Sequence, residues 1–201
     1  MRVRYATQPS SGRQVNEDHV FHTGDLVGVL DGVSVPPGVD TGCVHGPAWY
    51  TRRLADHLAR TTASPAVPLA DALAEAISAV RDEHAHTCDL DNPQTPASTV
   101  CLVRDGGDHV DYLLLCDSHL ILDHQGDREL QVLTDTRFAA CVADIRRIVL
   151  TGASPFGTSD HEERVRQAAQ LRQQYTTSQA ATGSPPPSPK PRTSPSPAPC
   201  P

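Results

Sequence analysis

Aromatic side chains are scarce, at 4% of the 201 residues, and Trp49 is the single tryptophan. Any core must therefore be built from Val, Leu, Ile and Ala. No apolar run approaches the ~20 residues that a membrane-spanning helix needs. Residues 1–7 lack the apolar stretch of a secretory leader, and none is expected. The six cysteines (Cys43, Cys88, Cys101, Cys116, Cys141 and Cys200) are scattered without a Cys-x-x-Cys pair. That argues against a disulfide framework and for buried thiols in a reducing compartment, so the cytoplasm is the expected location. Positive charge is also short: 17 Lys and Arg stand against 24 Asp and Glu, a net charge of −7. Nucleic acid and membrane surfaces are accordingly not expected as partners. No internal repeat is present.

Proline is unevenly placed. Nine of the 18 prolines fall in residues 183–201, and the rest are spread at ordinary density. The composition divides the chain into a folded body, 1–178, and a disordered Pro/Ser-rich tail, 179–201. Within the body, residues 2–7 and 15–21 read as strands, the second interrupted by Asn16-Glu17-Asp18. Residues 26–30 form an apolar run that stops at Asp31-Gly32, the pattern of a buried strand ending in a turn. After a Gly/Pro-rich loop, helices are predicted over 47–60 and 68–86. The second places Leu69, Leu73, Ala76, Ile77, Val80 and His84 on one face. Strands follow over 99–104, 110–116, 119–123 and 130–133, with connections of hairpin length that suggest an antiparallel meander. Helical spacing returns at Phe138, Cys141, Val142, Ile145 and Val149. Ser159 with Glu162 has the form of a capping box for a polar helix to about residue 175. The fold class is α+β, with helices packed on antiparallel sheet and a two-sheet sandwich as one arrangement. Leu73, Ile77, Val80, Val100, Leu102, Leu114 and Ile121 are the expected core.

Acidic residues stand at strand ends three times, as Glu17-Asp18, Asp31-Gly32 and Asp117-Ser118. Strand ends converge on one edge in a layered fold, and carboxylates brought together there repel unless a cation joins them. All-oxygen ligation suits hard ions such as Mg²⁺ or Mn²⁺. Taken singly, each of these pairs is ordinary turn chemistry.

The ordered set is more specific. Arg13-x-x-Asn16-Glu17-Asp18, Val29-Leu30-Asp31-Gly32-Val33-Ser34, Ala97-Ser98-Thr99-Val100 and Leu115-Cys116-Asp117-Ser118 follow one another with suitable gaps. Over residues 1–135 this resembles the bacterial-type metal-dependent Ser/Thr protein phosphatases, the phosphatase 2C (PPM) family. The resemblance implies an α-β-β-α sandwich of antiparallel sheets flanked by helices, here incomplete. It implies two or three Mg²⁺ or Mn²⁺ ions and a phosphorylated protein as substrate, acted on by a monomer. Residue by residue, it makes Asp18 a ligand of one ion and Asp31 a bridge between two. The Gly32 carbonyl would face the second ion, Glu17 would order water beside the ions, and Asp117 would help hold a third. Arg13 would clamp the phosphate, a task suited to its forked donors. The implied activity is hydrolysis of phosphoserine and phosphothreonine by in-line attack of water.

Several positions depart from that family pattern. Val33 stands where some relatives have His, and Ser34 replaces a second Gly. Cys116 and His119 replace the Gly and Arg that flank Asp-Ser. No Asp-Gly or Asp-Asn pair follows residue 135, so the late metal ligands are missing and impaired turnover is expected. A phosphatase-shaped domain that binds a phosphoprotein or regulator without turnover is the alternative. The tail reads either as a frameshifted or truncated end or as a Pro-rich linker in extended form. Two clusters stand outside the resemblance. His84-x-His86-x-Cys88 resembles a zinc-binding fragment without a visible fourth ligand, and reads as a helix end running into a loop. Cys43 and His45 lie in the Gly/Pro loop with no group to orient them as a nucleophile pair. Trp49 reads as core.

Overall fold

The computed structural model describes residues 1–35, 38–62, 64, 66–92, 94–123, 130–137, 140, 143, 147, 158–160, 163–164 and 167. Among the described residues, strands and helices follow in blocks: β1 (His19–Thr23), β2 (Leu26–Gly32), α1 (Pro47–Thr61), α2 (Leu69–His84), β3 (Ser98–Asp105), β4 (Val110–Leu115), β5 (His119–Leu122) and β6 (Gln131–Thr134). β1 to β4 form one antiparallel sheet in chain order, and β5 pairs with β6 in a second. The fold is α+β, as the strand and helix patterns predict.

The first sheet has two distinct faces because its residues alternate. Leu26, Gly28, Leu30 and Gly32 of β2 are buried, while Val27 is half-buried and Val29 and Asp31 are exposed. The register sets Leu30 against Val100 and Gly28 against Leu102, so the buried face continues onto β3. Both helices come between β2 and β3 in the chain, and α1 packs on β1 and β2 while α2 reaches β4. Their buried stripes are Leu54, Ala55 and Leu58 on α1 and Leu69, Leu73, Ala76 and Val80 on α2. With Leu26, Leu30, Val100 and Leu102 these make one aliphatic core, against which Phe21 and Trp49 pack. Burial of apolar surface at ~25 cal/mol per Å² drives this assembly.

α1 has no side-chain cap, and Pro47 opens it instead. Proline fits the first turn because its missing N–H has no intrahelical partner there. On the solvent side Arg53 of α1 grips Glu83 of α2 through two bonds of 2.6 and 2.7 Å, and His57 Nε2 lies 2.8 Å from the same carboxylate. This fork-on-fork contact holds Glu83 down at about 2, with burial opposing the shift and His57 adding to it.

Three expectations are corrected. Residues 2–7 are not a strand; they run almost entirely exposed, without regular structure. The meander is broken, since the chain leaves the first sheet at Cys116, whose φ of 65° turns it sharply, and among the described residues β5 pairs only with β6. Ile121 is 61% exposed, because its side of this two-stranded ribbon is open among the described residues. Leu73, Val80, Val100 and Leu102 are buried, while Ile77 and Leu114 are half-buried. Most of the helical spacing after Phe138, most of the Ser159 helix, and the whole tail 179–201 lie outside the described residues.

Candidate functional site

The acidic strand ends meet at one edge of the first sheet. β1 and β2 pair His19 with Leu30 at this end, and Asp18 and Asp31 are the residues that flank that last pair, Asp18 before His19 and Asp31 after Leu30. Asp31 follows Val27 and Val29 on the face turned away from the helices, and it is exposed. In the other direction its register partner is Thr99 of β3. Thr99 Oγ1 is 2.7 Å from Ser118 Oγ, and this bond ties the turn carrying Asp117 to the same edge. Ser118 also accepts, at its carbonyl, the hydroxyl of Thr134 at 3.1 Å.

Glu17 is half-buried one position back, on the helix side. Its carboxylate accepts from Arg13 Nη1 at 3.3 Å and from the Ser34 hydroxyl. Its backbone carbonyl accepts from Thr51 of α1 at 3.0 Å. A Cβ at position 32 would fall inside contact distance of that same carbonyl. Gly32 therefore has a steric reason to be glycine: the strand must approach the Glu17 backbone closely. Asn16 completes the arrangement, accepting the Asp18 N–H at 3.1 Å and donating to Thr7 Oγ1 at 2.7 Å. The Asn16-Glu17-Asp18 run is thus held by side-chain bonds to Thr7, Arg13 and Ser34.

The structure brings Arg13, Glu17 and Gly32 into one contact network and sets Asp18, Asp31 and Asp117 along one rim. It does not close the acids into a tight triad. Among the described residues, no three carboxylates have oxygens within 4.8 Å of one another. The donor set still fits a hard cation, because Mg²⁺ is commonly held through one or two carboxylates with water completing its shell.

One residue beyond the sequence candidates belongs to this rim. Asp135, directly after β6, accepts two bonds from the Arg137 guanidinium at 2.8 and 2.9 Å, the Arg137 backbone N–H at 3.1 Å and the backbone N–H of Cys116. Its carboxyl is held below the usual range, chiefly by Arg137, against the opposing effect of burial. It braces the Cys116–Asp117 turn from the second sheet. The signal that marks Asp31 and Asp117, an acid at the end of an apolar strand, marks Asp135 too.

A solved structure supplies the comparison that decides the fold. Over 69% of this chain, the Mycobacterium tuberculosis serine/threonine phosphatase PstP/Ppp superposes with a TM-score of 0.51 at 20% identity. This chain has the PPM phosphatase fold. The PPM-like chain spans 56% of the length of that structure. Two further structures match: the catalytic domain of PstP in complex with two manganese ions (TM-score 0.49, 20% identity, 69% of this chain and 57% of that one), and the PPM Ser-Thr phosphatase MsPP from Mycobacterium smegmatis in complex with cacodylate (TM-score 0.43, 15% identity, 87% and 90%). No family model and no curated protein matches. Among the described residues, no helix of the PPM-like chain is long and apolar enough to cross a membrane.

Proposed function

We propose that this chain is a metal-dependent phosphatase-like domain acting on phosphoserine and phosphothreonine in proteins, with low turnover. The observation that carries the reading is the sheet edge: Asp18 and Asp31 flank the last His19–Leu30 pair, and Thr99, the register partner of Asp31, bonds Ser118 next to Asp117. That edge sits within a PPM phosphatase fold. Asp18, Asp31 and Asp117, with the Gly32 carbonyl, are the groups that would hold Mg²⁺ or Mn²⁺. Such ions, when bound, supply an activated water and stabilise charge on phosphorus. Arg13 would bind phosphate oxygens once its contact with Glu17 is exchanged for them, and its fork can engage two at once. Glu17 both holds Arg13 in reserve and offers an acceptor for water at the rim.

Slow chemistry is the expected consequence of the loose acid set. Misplacement by ~1 Å can cost ~100-fold in rate. Hydrolysis of a small aryl phosphate by the full chain with Mn²⁺ should therefore run well below ~1 s⁻¹, the lower end of ordinary turnover. Asp31→Asn should remove what activity there is. Hydrolysis that persists undiminished in that variant, or without a divalent ion, would sink the reading. A second reading, phosphoprotein binding without turnover, is favoured by the engagement of Arg13 with Glu17 and by the open spacing of the acids. Saturable binding of a phosphothreonine peptide, lost in Arg13→Ala, with no phosphate released, would select it.

A further inference from the structure

We propose that Cys43, His84 and Cys88 form a zinc site that fastens the loop after β2 to the end of α2. This site is separate from the carboxylate rim and has the opposite ligand chemistry. The three ligand atoms lie within 4.8 Å of one another. His84 is buried at the last residue of α2, and Cys88 lies four residues on, after a turn in which its N–H and that of Thr87 both bond the His84 carbonyl at 3.0 Å. Cys43 comes from the loop between β2 and α1. That loop is drawn in by the Asp89 N–H on the Gly42 carbonyl at 2.7 Å and by Asn92 on the Asp40 carbonyl. Gly42 adopts φ +64°, which turns the chain so that Cys43 meets Cys88.

The surroundings match what a thiolate–imidazole site requires. His84 Nδ1 is committed to the Val80 carbonyl, so the ring carries its proton there and keeps a lone pair on Nε2 for a metal. Fixing the tautomer through the other nitrogen is the usual support of a metal-bound histidine. Trp49 braces the imidazole edge-on at 5.2 Å, and its own face is stacked by His45 at 3.9 Å. The Thr87 hydroxyl lies 3.7 Å from the Cys88 sulfur, within reach to donate to a thiolate there. The sulfurs of Cys43 and Cys88 are 2.6 Å apart. A tetrahedral ion with Zn–S bonds of ~2.3 Å would part them to ~3.8 Å, and both lie on loops that can yield this much. Binding releases two thiol protons and leaves a neutral histidine ligand. Two sulfurs and one nitrogen suit zinc and reject Mg²⁺. Among the described residues no fourth side chain joins the group, so water takes the fourth position.

The test uses the full chain, reduced and purified without chelator. Elemental analysis should find about one zinc per chain, retained against excess Mg²⁺. Replacement by Co²⁺ should give a thiolate-to-cobalt charge-transfer band and the intense visible bands of a tetrahedral site. Cys88→Ser should lose the charge-transfer intensity in part and weaken zinc at least tenfold, while His86→Ala, outside the group, should change neither. The cobalt spectrum of the unaltered protein decides the question even if the variants unfold. A folded, reduced chain that takes up no cobalt, or takes it up without a thiolate band, overturns the proposal. So does a Cys43–Cys88 disulfide in a protein whose reduced form leaves added zinc in the dialysate.

Discussion

Single residues explain why the acidic edge is shaped as it is. Gly32 is fixed by a neighbour 15 positions earlier, since the Glu17 carbonyl occupies the space a Cβ would need. Gly32→Ala should push the Glu17–Asp18 backbone away from β2 and disturb the Thr51 bond that steadies it. The expected cost is about 1–3 kcal/mol, typical of forced overpacking. Urea unfolding would read this as a lowered midpoint at unchanged slope. An unshifted midpoint would mean the close approach does not exist in solution. Cys116 illustrates the reverse case. It stands where the phosphatase 2C pattern has glycine, and its φ of 65° lies in the left-handed region that costs a side-chain-bearing residue ~1–2 kcal/mol. Its side chain is buried, and that burial offsets part of the strain. Cys116→Gly should therefore be close to neutral in stability, although a buried side chain is removed.

Between elements, the contact of α1 with α2 is partly ionic and so depends on pH. Glu83 has its folded-state pKa depressed to about 2, with the Arg53 hydrogen bonds the main cause. A depressed carboxyl contributes its stability fully above the unfolded value, near pH 4.5, and loses it as pH falls towards 2. The pair is partly solvent-exposed, so screening keeps its contribution to roughly 1 kcal/mol. Glu83→Gln should be less stable than the parent chain at pH 7, and the difference should shrink steadily between pH 4.5 and pH 2. A constant difference across that window would show that Glu83 acts through packing alone. Beneath this contact Leu58 is fully buried, and Leu58→Ala should cost about 2–5 kcal/mol at any pH. The elements themselves were largely legible, because period-2 and period-3.6 patterns report which face is buried. The meander was not, since the break depends on the positive φ of Cys116, which no local pattern marks. The thiolate group was legible in part: His84 and Cys88 stand in one zinc-like run, but Cys43 lies 45 residues before Cys88, so only the fold brings it there and leaves His86 outside the group. The rim acids were readable as strand-end acids, but the bracing of their turn by Asp135 depends on how the second sheet meets the first.

At the scale of the whole molecule, the proposed metal site would make stability a function of divalent ions. Without metal, Asp18 and Asp31 flank the last His19–Leu30 pair of β1 and β2 in a chain already at −7, and like charges brought near one another at a sheet end are destabilising. Asp31→Asn should therefore raise the unfolding midpoint slightly in the presence of chelator. With metal the sign reverses. An ion that binds only the folded state adds RT ln(1 + [L]/Kd), ~2.7 kcal/mol at about 100 times Kd. At ~2–4 °C per kcal/mol for a domain of this size, the midpoint should rise by roughly 5–10 °C. Asp31→Asn should lose most of that rise, and Arg13→Ala should keep it, because Arg13 meets Glu17 rather than the ion. Thermal scans of the three proteins in Mn²⁺ and in chelator would check all of this at once. The crossing of the parent and Asp31→Asn curves is the decisive feature: a variant equally stabilised by Mn²⁺ would place the ion elsewhere than between these two strands.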